Sequence, residues 1–379
     1  MKTQKNTQKH KKRKEKIMNT IKSRNLRAIG IIAVLALTLT SPIQAQDNET
    51  TFPSYIPIAG QPEGVTVDKI GNVYVSVRAS TDQIWKLSPG GVKTLLADLG
   101  EPGGGVCGLA VDTVGNVYAA RAHEPGRVID PNLDNPGVYR IDPNGDVVLL
   151  PGTGQIVFPN GLAFDHRGTL YVTETYSIES SSGDFGPGGI WRIPEGGTAE
   201  LWLRDELLTG LPPSLFPFPL GANGIGFYHG DLYMNNSDKA LVVRVRVQPD
   251  GSPGQPEVWK EVEEVPESVF YNSPIFPVML DGLAFDVHGN IYITVISRIA
   301  VVRINADDSS QETIAVYPEI PLDSPASLAL GTGKGGRQNL FVTNLGIMGG
   351  FVPEMEWPGP GLVKLERRCA WFAAAMNMR

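Results

Sequence analysis

One phrase recurs six times along this chain of 379 residues, and it restricts the fold more tightly than any other feature. It consists of a polar residue, Gly, a short apolar run, a turn with Gly, and a second apolar run holding an aromatic. The copies are Glu63-Gly64-VTVDKIGNVYVSV, Cys107-Gly108-LAVDTVGNVYAAR, Asn160-Gly161-LAFDHRGTLYVTE, Asn223-Gly224-IGFYHGDLYMNN, Asp281-Gly282-LAFDVHGNIYITV and the degenerate Ala326-Ser327-LALGTGKGGRQNLFVTN. Their starts lie about 44 to 63 residues apart, close to the period of propeller blades.

Each copy reads as a hairpin: a strand such as LAFD, a D-x-x-G-N turn, then a strand such as VYV, with aromatic and β-branched residues suited to a pleated surface. Two further strands follow most copies, for example Gln83-IWKLSP and VKTLLA. Four strands in each of six units predict an all-β chain, a six-bladed β-propeller around a central channel spanning residues 46–366. Gly361-LVKLE supplies a late strand of the last blade, and Tyr55-Ile56-Pro57 an outer strand that closes the ring. A two-domain sandwich would leave six in-phase copies unexplained. Arg204-DELLTG is the one helical candidate, of one or two turns.

Composition separates the body from its N-terminus. A hydrophobic fraction of 41% with 2 Cys excludes a disordered chain and a disulfide scaffold. Residues 1–45 run basic, then apolar (AIGIIAVLALTLT), then Ser41-Pro42-Ile43-Gln44-Ala45, the order of a secretory signal peptide with cleavage after Ala45. The apolar run is short for a membrane span, an uncleaved anchor being the alternative. Met18 is the candidate true start, since MNTIKSRNLR gives a basic region of ordinary proportions; read alone, the preceding lysines would resemble a nucleic-acid patch. The expected location is secreted or periplasmic. The formal charge of -7 averages the two segments; without residues 1–45, 22 basic residues face 39 acidic ones, about -17. A body this acidic argues against nucleic-acid and anionic-membrane partners. A monomer acting on a small molecule is expected, with no stable span once the signal is removed.

In a propeller the first strand of every blade lines the channel, so the residues before the repeated Gly converge on one axis. Glu63, Asn160, Asn223 and Asp281 are oxygen donors at that position; Cys107 and Ala326 are not. Two carboxylates and two carboxamides suit a hard cation, Ca²⁺ before Zn²⁺, which favours His and Cys. An Asx-Gly turn tolerating positive φ would explain the asparagines singly. It would not explain two acids there, costly to bury without a cation.

Pro62-Glu63-Gly64, Pro159-Asn160-Gly161-Leu162-Ala163-Phe164, Ala222-Asn223-Gly224 and Leu280-Asp281-Gly282-Leu283-Ala284-Phe285 resemble the metal-site motifs of the senescence-marker-protein/gluconolactonase (regucalcin-like) family. The resemblance covers nearly all of residues 60–366, with weaker similarity to paraoxonases and strictosidine-synthase-like proteins. It implies a six-bladed fold, a channel cation held by Glu63, Asn160 and Asp281 with Asn223 as fourth ligand, and hydrolysis of lactones or related esters. The stretch through His123-Glu124 is similar to one holding a paraoxonase His; the other member of that pair would fall on Cys107, which puts such a dyad in doubt.

A channel cation with open positions would polarise a lactone or ester carbonyl. Asp281 and His123 compete as the general base, Asp281 being favoured. Loops after the second strands should open on the ligand face, presenting Arg78, Arg121, Glu174, Tyr176, Asn235, Asn236 and Arg298 as substrate-contact candidates, each also readable as an ordinary loop residue. Ser177-IESSSGDFGPGG and Leu211-PPSLFPFPLGA could form a lid, with Phe216 and Phe218 alternatively a hydrophobic anchor or a plug between blades. His166 and His288 read as surface residues and Cys107 and Cys369 as free thiols, and Gly331-TGKGG resembles a phosphate loop only superficially, since no Ser or Thr follows its Lys. Asn48 and Asn235 begin glycosylation sequons of use only in a eukaryote. Residues 367–379 fit no blade. The rival to a secreted calcium-dependent lactonase or ester hydrolase is a noncatalytic NHL-like binding propeller with structural calcium.

Overall fold

The computed structural model describes residues 54–79, 81–100, 105–123, 136–178, 184–211, 216–332 and 339–366. The signal segment, Glu124, parts of both lid candidates, most of the Gly331 loop, Cys369 and the tail lie outside the described residues.

Six four-stranded antiparallel sheets follow one another along the chain. Blade 1 comprises Gln61–Val67, Val73–Arg78, Gln83–Leu87 and Lys93–Asp98; blade 2, Val106–Val111, Val117–Arg121, Gly137–Ile141 and Val147–Leu149. Blade 3 is built from Pro159–Phe164, Leu170–Glu174, Gly189–Ile193 and Glu200–Arg204, and blade 4 from Ala222–Tyr228, Asp231–Asn236, Leu241–Arg246 and Glu257–Glu261. Leu280–Phe285, Ile291–Val295, Ala300–Ile304 and Gln311–Val316 form blade 5. In blade 6, Pro325–Leu330, Asn339–Asn344 and Gly361–Glu366 are completed by Tyr55–Pro57, which pairs with Gly361–Val363. The first strands touch their neighbours in cyclic order, blade 6 returning to blade 1. This is the expected six-bladed propeller, closed by its first described strand. The helical candidate is a single turn, Glu206–Leu208, capped by Asp205. Among the described residues no helix is long and apolar enough to cross a membrane.

The D-x-x-G-N-x-Y phrase is a framework device. Asp68 Oδ1 accepts from the N–H groups of Ile70 and Asn72, and its Oδ2 accepts from Asn72 Nδ2 and the Tyr74 hydroxyl. Asp112 and Asp286 repeat the arrangement with Asn116–Tyr118 and Asn290–Tyr292. One aspartate thus fixes both the turn and the start of the second strand.

The polar-Gly pair has a different cause. In all six first strands the register slips at this pair, between Pro62 and Val65 in blade 1 and between Leu280 and Leu283 in blade 5. Such a bulge re-aims the residue it contains. The glycines at the bulges are absent from the positive-φ residues, so turn chemistry does not select them. Close approach does: a Cβ on Gly64 would lie 2.3 Å from the Cys107 carbonyl oxygen, and one on Gly108 equally close to that of Asn160. The first strands crowd together around the axis, and backbone meets backbone there.

A second ring locks this crowding. Thr173 Oγ1 accepts from Gly161 N–H (2.8 Å) and donates to the Asn223 carbonyl of the next blade (2.6 Å). Ser76 makes the same bridge between Gly64 and Cys107, Thr294 between Gly282 and Ala326, and Thr343 between Ser327 and Glu63. Blade 4 uses Asn235, whose Nδ2 donates to the Asp281 carbonyl (2.7 Å); blade 2 has Ala120 at this position. Removing a bridge leaves two buried backbone groups unpaired. Thr173→Val should therefore cost about 1–3 kcal/mol, read as a lower urea midpoint. An unchanged midpoint would show that the bridge is dispensable.

Candidate metal centre in the channel

The bulges hold Glu63, Cys107, Asn160, Asn223, Asp281 and Ala326 at equivalent register positions, of which the four oxygen donors line the channel cavity, and the second strand of each blade supplies a neighbour. The residues after the register partners of Pro62, Val106, Pro159, Ala222, Leu280 and Pro325 are Arg78, Ala122, Thr175, Ser237, Ile296 and Leu345. Asn160 Nδ2 donates to Thr175 Oγ1 (3.2 Å) and Asn223 Nδ2 to Ser237 Oγ (3.0 Å). With their amide nitrogens held, both carboxamides keep Oδ1 available as an acceptor. Arg78 Nη1 donates to Glu63 Oε2 at 3.2 Å. Asp281 stands opposite no such group, because its position in blade 5 is matched by Ile296.

The side-chain hydrogen bond of Asp281 comes instead from Asn223 within the ring. Burial, and then the charge of Glu63, push the Asp281 carboxyl well above its usual range; the Asn223 side chain and the Arg78 guanidinium oppose the shift. Two acids on one axis with a single guanidinium invite a further cation. Among the described residues no three His, Cys, Asp or Glu side chains cluster as a metal site, since two ring donors are carboxamides. The donor set still fits a hard cation: two carboxylates, two oriented carboxamide oxygens, and room for waters.

That room is a cavity of about 940 Å³, which begins at Glu63, Asn160, Asn223 and Asp281 and follows the first strands to the turn end, at Lys69, Asp286 and Thr332. Away from it the ring meets apolar walls. Cys107, buried and with no disulfide, packs with Ala122, Phe158 and Tyr176; Ala326 packs with Met279, Ile296 and Leu345. Phe218 joins the first cluster and Phe216 the second, and the two rings stack with centroids 5.9 Å apart. The Phe216–Phe218 segment therefore links the two apolar flanks of the ring.

Several substrate-contact candidates are held inside the protein, and none lines the cavity. Arg121 pairs with buried Asp82 (2.8 Å). Glu174 accepts from Val157 N–H, Trp191 Nε1 and Arg204. Asn236 donates to the carbonyls of Leu207 and Thr209, and Arg298 binds both carboxylate oxygens of Glu264. Tyr176 donates to the His123 carbonyl (3.3 Å), and His123 N–H donates to Val157. The strand ends do lie at the ring's level, yet most of these polar groups tie one blade to its neighbour, Arg121 to Asp82 of blade 1, Asn236 to the segment after blade 3 and Arg298 to Glu264 after blade 4, while Glu174 and Arg204 pair within blade 3. The structure brings together Glu63, Asn160, Asn223, Asp281 and Arg78, with Asn235 behind Asp281. Reading by loop position missed the anchors Thr175 and Ser237; their signal is a hydroxyl two residues beyond Thr173 and Asn235. His166 lines a separate groove of about 460 Å³ between blades 3 and 4.

No protein-family model and no curated protein matches the chain in sequence. Solved structures do match in fold. A gluconolactonase from Xanthomonas campestris superposes with TM-score 0.55 at 15% identity, over 81% of this chain and 87% of its own. A calcium-binding regucalcin from Agrobacterium tumefaciens gives 0.55 at 17%, over 83% and 95%. A PQQ-bound aldose sugar dehydrogenase from Streptomyces coelicolor gives 0.52 at 16%, over 83% and 97%. The fold is thus that of the gluconolactonase and regucalcin propellers, and it also carries quite different chemistry.

Because Asp281 is shifted upward, the folded cation-free protein keeps a proton that the unfolded chain has released. Its stability falls as pH rises from about 4, the ordinary Asp value, through the raised value. Asp281→Asn should accordingly unfold at higher urea than wild type at neutral pH in chelator, the gap closing toward about pH 4. A wild type that is the more stable across this range would contradict the assignment.

Proposed function

We propose that the chain is a hydrolase of lactones or other carboxylic esters that works with a divalent cation, calcium by preference, at Glu63, Asn160, Asn223 and Asp281. The observation that carries this reading is the ring itself: four oxygen donors at one register position, two of them acids, on the axis of a channel with space for a small molecule. When bound, the cation would polarise the substrate carbonyl and stabilise the negative charge developing there. Asp281 is assigned as the base that takes a proton from the attacking water, as a carboxylate standing within the ring can. Asn235 holds the Asp281 carbonyl and thereby the bulge that aims its side chain. His123 is the alternative base, and its backbone ties to Val157 and Tyr176 place it with the apolar flank of Cys107. Export by the N-terminal 45 residues belongs to the same proposal, and would place the ring where calcium is plentiful.

The test is a panel of sugar lactones, acyl lactones and aryl esters, assayed with and without chelator. Chelator-sensitive turnover of at least one compound is expected. Asp281→Asn should lower that rate by about 10²-fold or more while still binding calcium. Hydrolysis of none of them would favour a noncatalytic binding propeller. Full activity of a calcium-bound Asp281→Asn would pass the role of base to His123.

A further inference from the structure

Arg78 occupies the register position that carries Thr175 in blade 3 and Ser237 in blade 4. In those blades a neutral hydroxyl holds the amide nitrogen and leaves the ligand oxygen to the channel. Blade 1 reverses the arrangement, since its anchor is a cation and takes Glu63 Oε2, one of the oxygens the ring would offer. The next blade is shaped to seat this side chain. Gly105 adopts φ +85°, and a Cβ there would lie 2.9 Å from Arg78 Nε and 3.2 Å from Arg78 Cβ. The guanidinium is therefore placed by the fold beside Glu63, and its charge is felt as far as Asp281.

We propose that Arg78 is a resident counter-cation of the ring, which a divalent ion must displace from Glu63 in order to bind. The inference rests on the cation-binding reading above and makes Arg78 the residue that weakens that binding. A divalent ion and a guanidinium held on one carboxylate repel each other, and in a partly buried site that repulsion is poorly screened. The same contact gives the cation-free ring a partial charge balance, so the site need not be filled for the blades to close.

Calorimetric titration of Ca²⁺ into the chelator-stripped whole protein tests this, comparing wild type, Arg78→Gln and Arg78→Lys at neutral pH. Arg78→Gln should bind Ca²⁺ about tenfold or more tightly than wild type, with Arg78→Lys close to wild type. Binding by Arg78→Gln when wild type shows none would support the inference further. Equal or weaker binding by Arg78→Gln would overturn it and leave the metal ring standing. Arg78→Lys matching Arg78→Gln would also overturn it, because charge would then not be what competes. Binding by none of the three would remove both the ring as a metal site and this role of Arg78. Should Arg78→Gln fail to fold, Arg78→Thr copies blade 3 and gives the same readout.

Discussion

Everything on the axis depends on how closely six first strands can approach one another. The bulge at each polar-Gly pair brings one strand's backbone against the next blade's carbonyl, and the gap left is too small for a Cβ. Side-chain hydroxyls on the second strands then bridge the bulge N–H of one blade to the carbonyl of the next. Glycine and hydroxyl act together, the first permitting the approach and the second satisfying the backbone groups that the bulge removes from the ladder. The outward consequence is a closed propeller, and the inward one is four oxygen donors, Glu63, Asn160, Asn223 and Asp281, brought to the wall of one channel cavity. Site and fold share a single cause, so the donor ring cannot be loosened without loosening the inter-blade contacts.

That dependence explains what the sequence made legible. Repetition gave the blade count, the four-strand units and even the closing strand at Tyr55–Pro57, because a periodic phrase of fixed hydrophobic pattern admits few other folds. It also gave the level of the ring, since equivalent positions in equivalent strands must converge. The reason for the repeated Gly was not legible: D-x-x-G and polar-Gly look alike as strings, yet the first is turn chemistry and the second is crowding between strands far apart in sequence. The hydroxyl bridges were visible in retrospect, as the residue two beyond each strand aromatic in YVSV, YVTE, YITV and FVTN. Their partners belong to another blade, which no local pattern reveals.

The loop-end candidates illustrate the opposite limit. Arg121, Glu174, Asn236 and Arg298 stand where a substrate could be read, and the sequence has no means to tell a polar group facing solvent from one paired inside the protein, for three of them with a neighbouring blade or the segment that joins it. Their partners Asp82, Arg204 and Glu264 are supplied by strands or loops whose distance is set by tertiary packing. Each of these ion pairs is partly or wholly buried, and leaving one partner behind would strand an uncompensated charge. Their burial is therefore itself a reason to assign them to the framework.

What remains at the ring is a graded set of donors. Blades 3 and 4 present neutral oxygens whose orientation is fixed by Thr175 and Ser237. Blade 1 presents a carboxylate already engaged by a guanidinium, and blade 5 a carboxylate matched by Ile296, with burial and Glu63 both opposing its ionisation. The two positions flanking Glu63 around the ring, Cys107 and Ala326, face apolar clusters instead. A ring of six equivalent positions has thus been divided by its second-strand neighbours into fixed donors, a contested donor, a donor with no polar second-strand neighbour and two apolar walls. The first strand decides which atoms reach the axis; the strand behind it decides how freely each can act there.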